Sequence, residues 1–502
     1  MTTSGSTSAE RSLGHDALVT PKSVRLSMTA PRCPPSDYHT DPILRHMTKT
    51  TRRIGRNIPV SWQHGFRDSG GFRWLSDSLV TSLAIPLGAV TCPSAARDFV
   101  KLSRDFKQLR YGDHESQFID VFLPDENHNY DPASDATTTP KTTPKARVRV
   151  RGMVFFVHGG AWGSGKPWFY RLVTKPFLEM GLAVAIVGYR VYPLCGSPRK
   201  NDADRGGVRT QVDDLEAAFG KLTQEYPEWC DKNFEDRFVE RRFVERKNHQ
   251  QQTNSKHPHH LPHLGTIVVG HSSGGHISML WMVERVQKKI SEIRRGQPNN
   301  LTDKRGSIDA FVGISGVYNI GHHFDYEGGR GVEEISPLKP ANGYDRNNFT
   351  KHTPPWKVQH ELIRTFNEMD QCTREQLLLS PTTPVSSSYF HFPERFLLVH
   401  GAEDDIVPFT GTGEAAKILK QCLGGGSSSS SIGDDCCNIT IDECYIPQMG
   451  HQDTAVDLMM LGGQKGPVTR TVVEWLLNGN RQLHAQKRTR ETKVLSTMRS
   501  KL

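Results

Sequence analysis

The chain contains no hydrophobic run long enough to cross a bilayer. Its most apolar stretch ahead of the core, Leu79 to Val90, is broken by Pro86 and falls well short of the roughly 20 residues a spanning helix needs. With Trp74 before it, this stretch reads as a packed N-terminal helix; a lid over a site and a peripheral membrane contact are the alternatives. Cysteine is sparse and unpatterned. The nine cysteines (33, 92, 195, 230, 372, 422, 436, 437, 444) are odd in number and lack paired spacing, which excludes a disulfide framework and fits a reducing compartment. No Cys/His cluster has zinc spacing, and the His-rich segment His257 to His263 carries two prolines and reads as a loop, so neither a metal nor a cofactor is expected. A DNA-reading motif and a basic patch interleaved with aromatics are also missing. The net charge of +9 is explained in part by a basic tail, so nucleic acid is not an expected partner.

What the chain does have is a strand–turn–helix signature. The apolar run Thr266-Ile267-Val268-Val269 is followed by Gly270-His271-Ser272-Ser273-Gly274-Gly275 and then by a helix-like stretch from His276 to Val286. A G-x-S-x-G turn in this setting lifts a serine hydroxyl onto a tight bend, and small flanking residues let the bend close. Ser272 is therefore the candidate nucleophile. Upstream, the buried strand Val154 to Val157 runs into His158-Gly159-Gly160-Ala161-Trp162. In such an HGG loop, backbone amides can point at a developing oxyanion. Gly159, Gly160 and Ala161 make the loop side of the expected oxyanion hole, and the amide of Ser273 completes it. His158 reads as a residue that holds this loop rather than as a base.

The acid and base follow later. Phe396-Leu397-Leu398-Val399 reads as a strand, and His400-Gly401-Ala402-Glu403-Asp404-Asp405 leaves its C-terminal end, where open parallel sheets place their functional groups. Asp404 is the candidate acid, with Asp405 as its neighbour alternative and Glu403 as a third. The next strand, Glu443 to Pro447, leads to Gly450-His451, and His451 is the candidate base. Further strands are expected at Gln117 to Leu123, Leu182 to Val187 and Asp309 to Ile314. Gln117 to Leu123 and Val148 to Val157 read together as the antiparallel opening of the sheet. Apolar residues at three- and four-residue steps predict an amphipathic helix over Gln211 to Leu222, whose Asp213 and Asp214 read as a solvated face or a loop tether. The fold expected is α/β, an α/β-hydrolase fold with a mostly parallel central sheet and helices on both faces.

Around this core the chain divides into four stretches. Residues 1–70 are rich in Ser, Thr, Pro and Arg and read as a disordered basic segment; Glu10, Asp16, Asp37 and Asp41 argue against a transit peptide. Residues 71–108 read as a helical extension or lid. The hydrolase domain spans 109–480, with insertions near 232–263 and 424–436 and a cap segment from Ser315 to Leu378. Residues 481–502 form a basic tail that ends in Ser500-Lys501-Leu502, a peroxisomal address read by an import receptor. Peroxisomal localisation is expected on that ground, with a cytoplasmic or endomembrane-associated protein as the alternative.

The motifs His158 to Gly165, Gly270 to His276, Ser315-Gly316-Val317-Tyr318-Asn319, His400-Gly401 with Asp404 and Val407-Pro408, and Gly450-His451 resemble those of α/β-hydrolase carboxylesterases. Within that superfamily they are similar to isoprenylcysteine methylesterases and kynurenine formamidases. The resemblance runs from about Arg110 to Asn478 and implies Ser272, Asp404 and His451 as the triad. It implies a serine esterase acting on a small-molecule ester or amide, with a prenylcysteine methyl ester as one substrate. An aryl formamidase and an acyl thioesterase are the alternatives, and a non-catalytic hydrolase-fold receptor is a further one.

Overall fold

The computed structural model describes residues 58–80, 90–124, 150–196, 206–230, 263–295, 306–343, 392–423, 440–460 and 466–479. The readings made for residues 1–57, for most of both insertions, for much of the cap segment and for the tail with its Ser-Lys-Leu end lie outside these residues.

Eight strands form one sheet: β1 (Lys107–Arg110), β2 (Phe118–Phe122), β3 (Gly152–Val157), β4 (Ala183–Val187), β5 (Gly265–His271), β6 (Ala310–Ile314), β7 (Arg395–Gly401) and β8 (Thr440–Ile446). Their spatial order is β1-β2-β4-β3-β5-β6-β7-β8. β1 pairs antiparallel with β2, and β2 antiparallel with β4; every later pairing is parallel. This is the α/β-hydrolase fold.

The central strands β3 to β7 are buried along their whole length, which is why they appear in the sequence as unbroken apolar runs rather than as alternating ones. Successive side chains still point to opposite faces. Phe155, Val268, Phe311 and Leu398 pack on one side with Leu215, Phe219, Trp281 and Leu419. Val154, Phe156, Val269, Val312 and Val399 pack on the other with Phe177, Leu458, Val472 and Leu476. The first group of partners comes from the helices Val208–Glu225, Ser273–Arg294 and Thr410–Leu423; the second comes from Thr174–Glu179, His451–Met460 and a helix over 467–479.

Two expectations need correction. The antiparallel opening is made by β1 and β2, whereas Gly152–Val157 belongs to the parallel part, between β4 and β5. β1 is short and has only Leu109 buried, so no apolar run announced it. Order also begins earlier than the 1–70 reading placed it. A helix covers Val60–Asp68 and another Gly71–Leu79. This pair is fastened to the body by His64 to Glu334 (2.6 Å), Asp68 to the Tyr192 hydroxyl (2.8 Å) and Asp77 to Lys166 (2.9 Å). Its apolar side chains Trp62, Trp74, Leu75 and Leu79 face solvent. Among the described residues, no helix is long and apolar enough to cross a membrane.

Asp214 is a loop tether. Though on a helix, it is buried and accepts hydrogen bonds from Gln117 Nε2 (2.8 Å), the Arg190 amide (2.9 Å) and the Arg190 guanidinium (2.6 Å). It thereby fixes the loop that leaves β4. Asp214→Ala would leave Arg190 and Gln117 without their shared acceptor and should cost about 3 kcal/mol, read as a lowered urea midpoint at unchanged m-value.

Candidate active site

The parallel register carries the loops after β3, β5, β7 and β8 to one edge of the sheet. Val157 lies beside Gly270, and Gly401 beside Ile446. The chain turns sharply at the end of β5: Ser272 sits at φ +55°, a left-handed conformation that costs a non-glycine residue energy and persists where its surroundings hold it. Its amide donates to the Ile314 carbonyl at 2.9 Å, and the Gly275 amide donates back to the Ser272 carbonyl at 3.0 Å. At Gly274 the helix presses so closely on β3 that a side chain would run into the carbonyls of Val157 and His158. That contact explains the small residue there.

The structure brings together the three side chains expected from sequence. Ser272 Oγ donates to His451 Nε2 at 2.9 Å, and His451 Nδ1 donates to Asp404 Oδ2 at 2.8 Å. All three residues are buried. Geometry also separates the three acids, because Glu403 and Asp405 face solvent while Asp404 turns inward. Its second oxygen, Oδ1, accepts the amides of Ile406 (2.9 Å) and Val407 (2.7 Å). Burial alone would raise the Asp404 carboxyl. Hydrogen bonds from His400 and His451 more than reverse this and hold it well below the usual carboxylate range.

Sequence reasoning missed the place of His400. It is fully buried, with Nε2 3.0 Å from Asp404 Oδ2 and 3.1 Å from the Val407 carbonyl. Its Nδ1 accepts from Thr412 Oγ1 at 2.7 Å. Asp404 is thus shared by two imidazoles. The available signal was the i,i+4 spacing of His400 and Asp404 across one tight loop at the end of a strand.

Opposite Ser272 lies the HGG turn. Gly160 adopts φ +131°, Ala161 +48° and Trp162 +61°, so three successive residues take the left-handed half of the map. A β-carbon on Gly159 would sit 2.8 Å from that of Ser272, which shows how closely the turn approaches the hydroxyl. Among the described residues, the amides of Gly160, Ala161 and Ser273 bond to no carbonyl outside the regular helices and strands. His158 holds the turn from below. Its Nδ1 donates to the Gly159 carbonyl at 2.9 Å, its own carbonyl accepts from the Tyr189 hydroxyl at 2.7 Å, and its ring stacks between Tyr170 and Tyr189. His271 packs beside His451 with ring centroids 5.3 Å apart.

Arg330 points its guanidinium at the Ile406 carbonyl (3.5 Å) and lies near the Tyr326 ring. Among the described residues, no group of His, Cys, Asp and Glu is arranged to hold a metal.

Burial pushes three histidines down, His158 to about 4 and both His271 and His276 to about 3. All three are neutral in the folded chain at pH values where the unfolded chain, near 6.5, already binds protons. Their contribution to stability is therefore complete above about pH 6.5 and is lost as pH falls towards the folded values. Each should add about 1.4 kcal/mol per pH unit to the acid slope of unfolding free energy. Urea titrations at a series of pH values should show a shallower slope for His158→Asn, which keeps a donor at the Nδ1 position.

No family model matches the chain. It is 20% identical over 315 residues to the "probable isoprenylcysteine alpha-carbonyl methylesterase" of Arabidopsis thaliana, an alignment covering 63% of this chain and 47% of that protein. It is 22% identical over 355 residues to a protein of the same description from Oryza sativa subsp. japonica, covering 70% of this chain and 62% of the relative. The chain therefore spans about half to three-fifths of the length of these relatives. Among solved structures it is similar to esterase B from Lactobacillus rhamnosis (14% identity, TM-score 0.43, 83% of this chain and 99% of that one). It is similar also to an esterase from Pyrobaculum calidifontis (13% identity, TM-score 0.41, 88% and 98%).

Proposed function

We propose that this protein is a serine hydrolase of the carboxylesterase type, working through an acyl-enzyme. The single observation that carries this reading is the unbroken hydrogen-bonded line from Ser272 Oγ through His451 to Asp404, with bonds of 2.9 and 2.8 Å.

In the first step His451 Nε2 takes the Ser272 proton as Oγ attacks the ester carbonyl. The resulting oxyanion is met by the amides of Gly160, Ala161 and Ser273, each worth roughly 3–4 kcal/mol of barrier. Asp404 holds the ring with Nδ1 protonated and offsets the charge of the imidazolium. The tetrahedral adduct collapses to the acyl-enzyme as His451 gives its proton to the departing alkoxide. Water then enters, loses a proton to His451 and attacks the acyl carbon. The second adduct releases the carboxylic acid, and the proton returns to Ser272 Oγ.

Names carried by the relatives suggest the methyl ester of a prenylated cysteine as a substrate. The machinery itself is indifferent to the leaving group, so a formamide or a thioester would pass through the same steps.

Ser272→Ala should lower kcat/KM for a p-nitrophenyl ester by about 10⁶-fold, and Asp404→Asn by about 10⁴-fold. A fluorophosphonate probe should label the wild type and not Ser272→Ala; equal labelling of the two would end the serine reading. A panel of p-nitrophenyl esters of graded chain length, run with a prenylcysteine methyl ester, formylkynurenine and an acyl-CoA, selects the substrate. Turnover of the prenylcysteine ester above the others is the expected result.

A further inference from the structure

We propose that His276 is a positioning residue for the oxyanion turn. Its Nδ1 accepts the indole N–H of Trp162 and so ties the HGG loop to the helix that carries the nucleophile. This inference rests on the serine-hydrolase reading above.

Trp162 closes the turn that lies against Ser272. Its indole Nε1 donates to His276 Nδ1 at 3.0 Å, the two rings meeting edge to face. Its carbonyl is held separately, by the Tyr192 amide at 2.8 Å and by Gln211 Nε2 at 2.9 Å. Both ends of the residue are therefore fixed, and water has little access: Trp162 is 1% and His276 2% exposed. The turn needs such fixing because Ala161 and Trp162, neither of them glycine, both carry positive φ, a conformation that relaxes unless its surroundings over-determine it.

His276 is well placed for this task. It stands one helical turn beyond Ser272, on the same helix that the close contact at Gly274 sets against β3. One hydrogen bond thus fixes the spacing between the hydroxyl and the amide donors, although their loops are 114 residues apart in the chain. The bond requires an unprotonated Nδ1. Burial and the nearby Arg209 and His323 keep the ring neutral.

The test compares His276→Phe, His276→Asn, Trp162→Phe and the double variant Trp162→Phe/His276→Phe with wild type. Hydrolysis of p-nitrophenyl acetate is read beside binding of an alkyl trifluoromethyl ketone, to which Ser272 adds to form a tetrahedral oxyanion. Loss of the acceptor in His276→Phe should lower kcat by about 100-fold with KM within about twofold, and should weaken the ketone by a similar factor. His276→Asn, whose Oδ1 occupies the place of Nδ1, should recover kcat to within about tenfold of wild type. Trp162→Phe removes the donor along with part of the indole ring and should match His276→Phe, and the double variant should be no slower than either single one. If His276→Phe melts well below wild type, Trp162→Phe and His276→Asn carry the comparison.

The proposal is overturned if kcat survives loss of the acceptor or the donor, if the two single losses multiply, or if kcat falls while the ketone binds as before. Failure of the underlying reading looks different: wild type would then be inert towards both probes, and both conclusions would fall together.

Discussion

Parallel register across β3, β5, β6, β7 and β8 is the constraint from which the site follows. Because each of these strands ends at the same edge, four loops far apart in sequence open within reach of one another. The sheet cannot slip by a residue without exchanging its two apolar faces, and both faces are covered. Ladder contacts continue past the strand ends: the Ser272 amide reaches the Ile314 carbonyl, and the Ser315 amide reaches that of Val399. Core packing and site geometry are thus one arrangement, since burial that fixes register also fixes where hydroxyl, imidazole and carboxylate meet.

Polar groups within this edge are linked in one chain of hydrogen bonds. Asp404 is oriented by two backbone amides and by His400, which is in turn anchored on Thr412. His451 is held by Asp404, and the strained turn at Ser272 by its backbone hydrogen bonds. Burial works in the same direction. It keeps His158, His271 and His276 uncharged, so the interior beside the candidate triad is rich in imidazole yet carries little positive charge to compete for Asp404.

Much of this was legible in the sequence, for a physical reason. Ser272 and the HGG turn each sit on a glycine-bearing bend directly after an apolar run, and a fully buried parallel strand produces such a run; His451 follows Gly450 after β8, an edge strand with only Ile446 buried. Legibility failed where that rule has no purchase. β1 is an exposed edge strand with one buried side chain, so its pattern is that of a loop. Glu403, Asp404 and Asp405 are adjacent acids, and only the direction of the turn separates them. The Trp162–His276 bond joins residues whose spacing carries no period at all. The helix Val60–Asp68 is held by charged and hydroxyl contacts to Glu334 and Tyr192, which leave no apolar signature.

That same helix and its successor, Gly71–Leu79, have an inverted distribution of polarity: pins face the body while tryptophans and leucines face water. Contacts of this kind contribute on the order of 1 kcal/mol or less each at a surface and weaken as ionic strength rises. Removing the pair from the body would forfeit little apolar burial. In a hierarchy of local openings the sheet would therefore exchange its amides last, and this N-terminal pair would be among the first segments to let go.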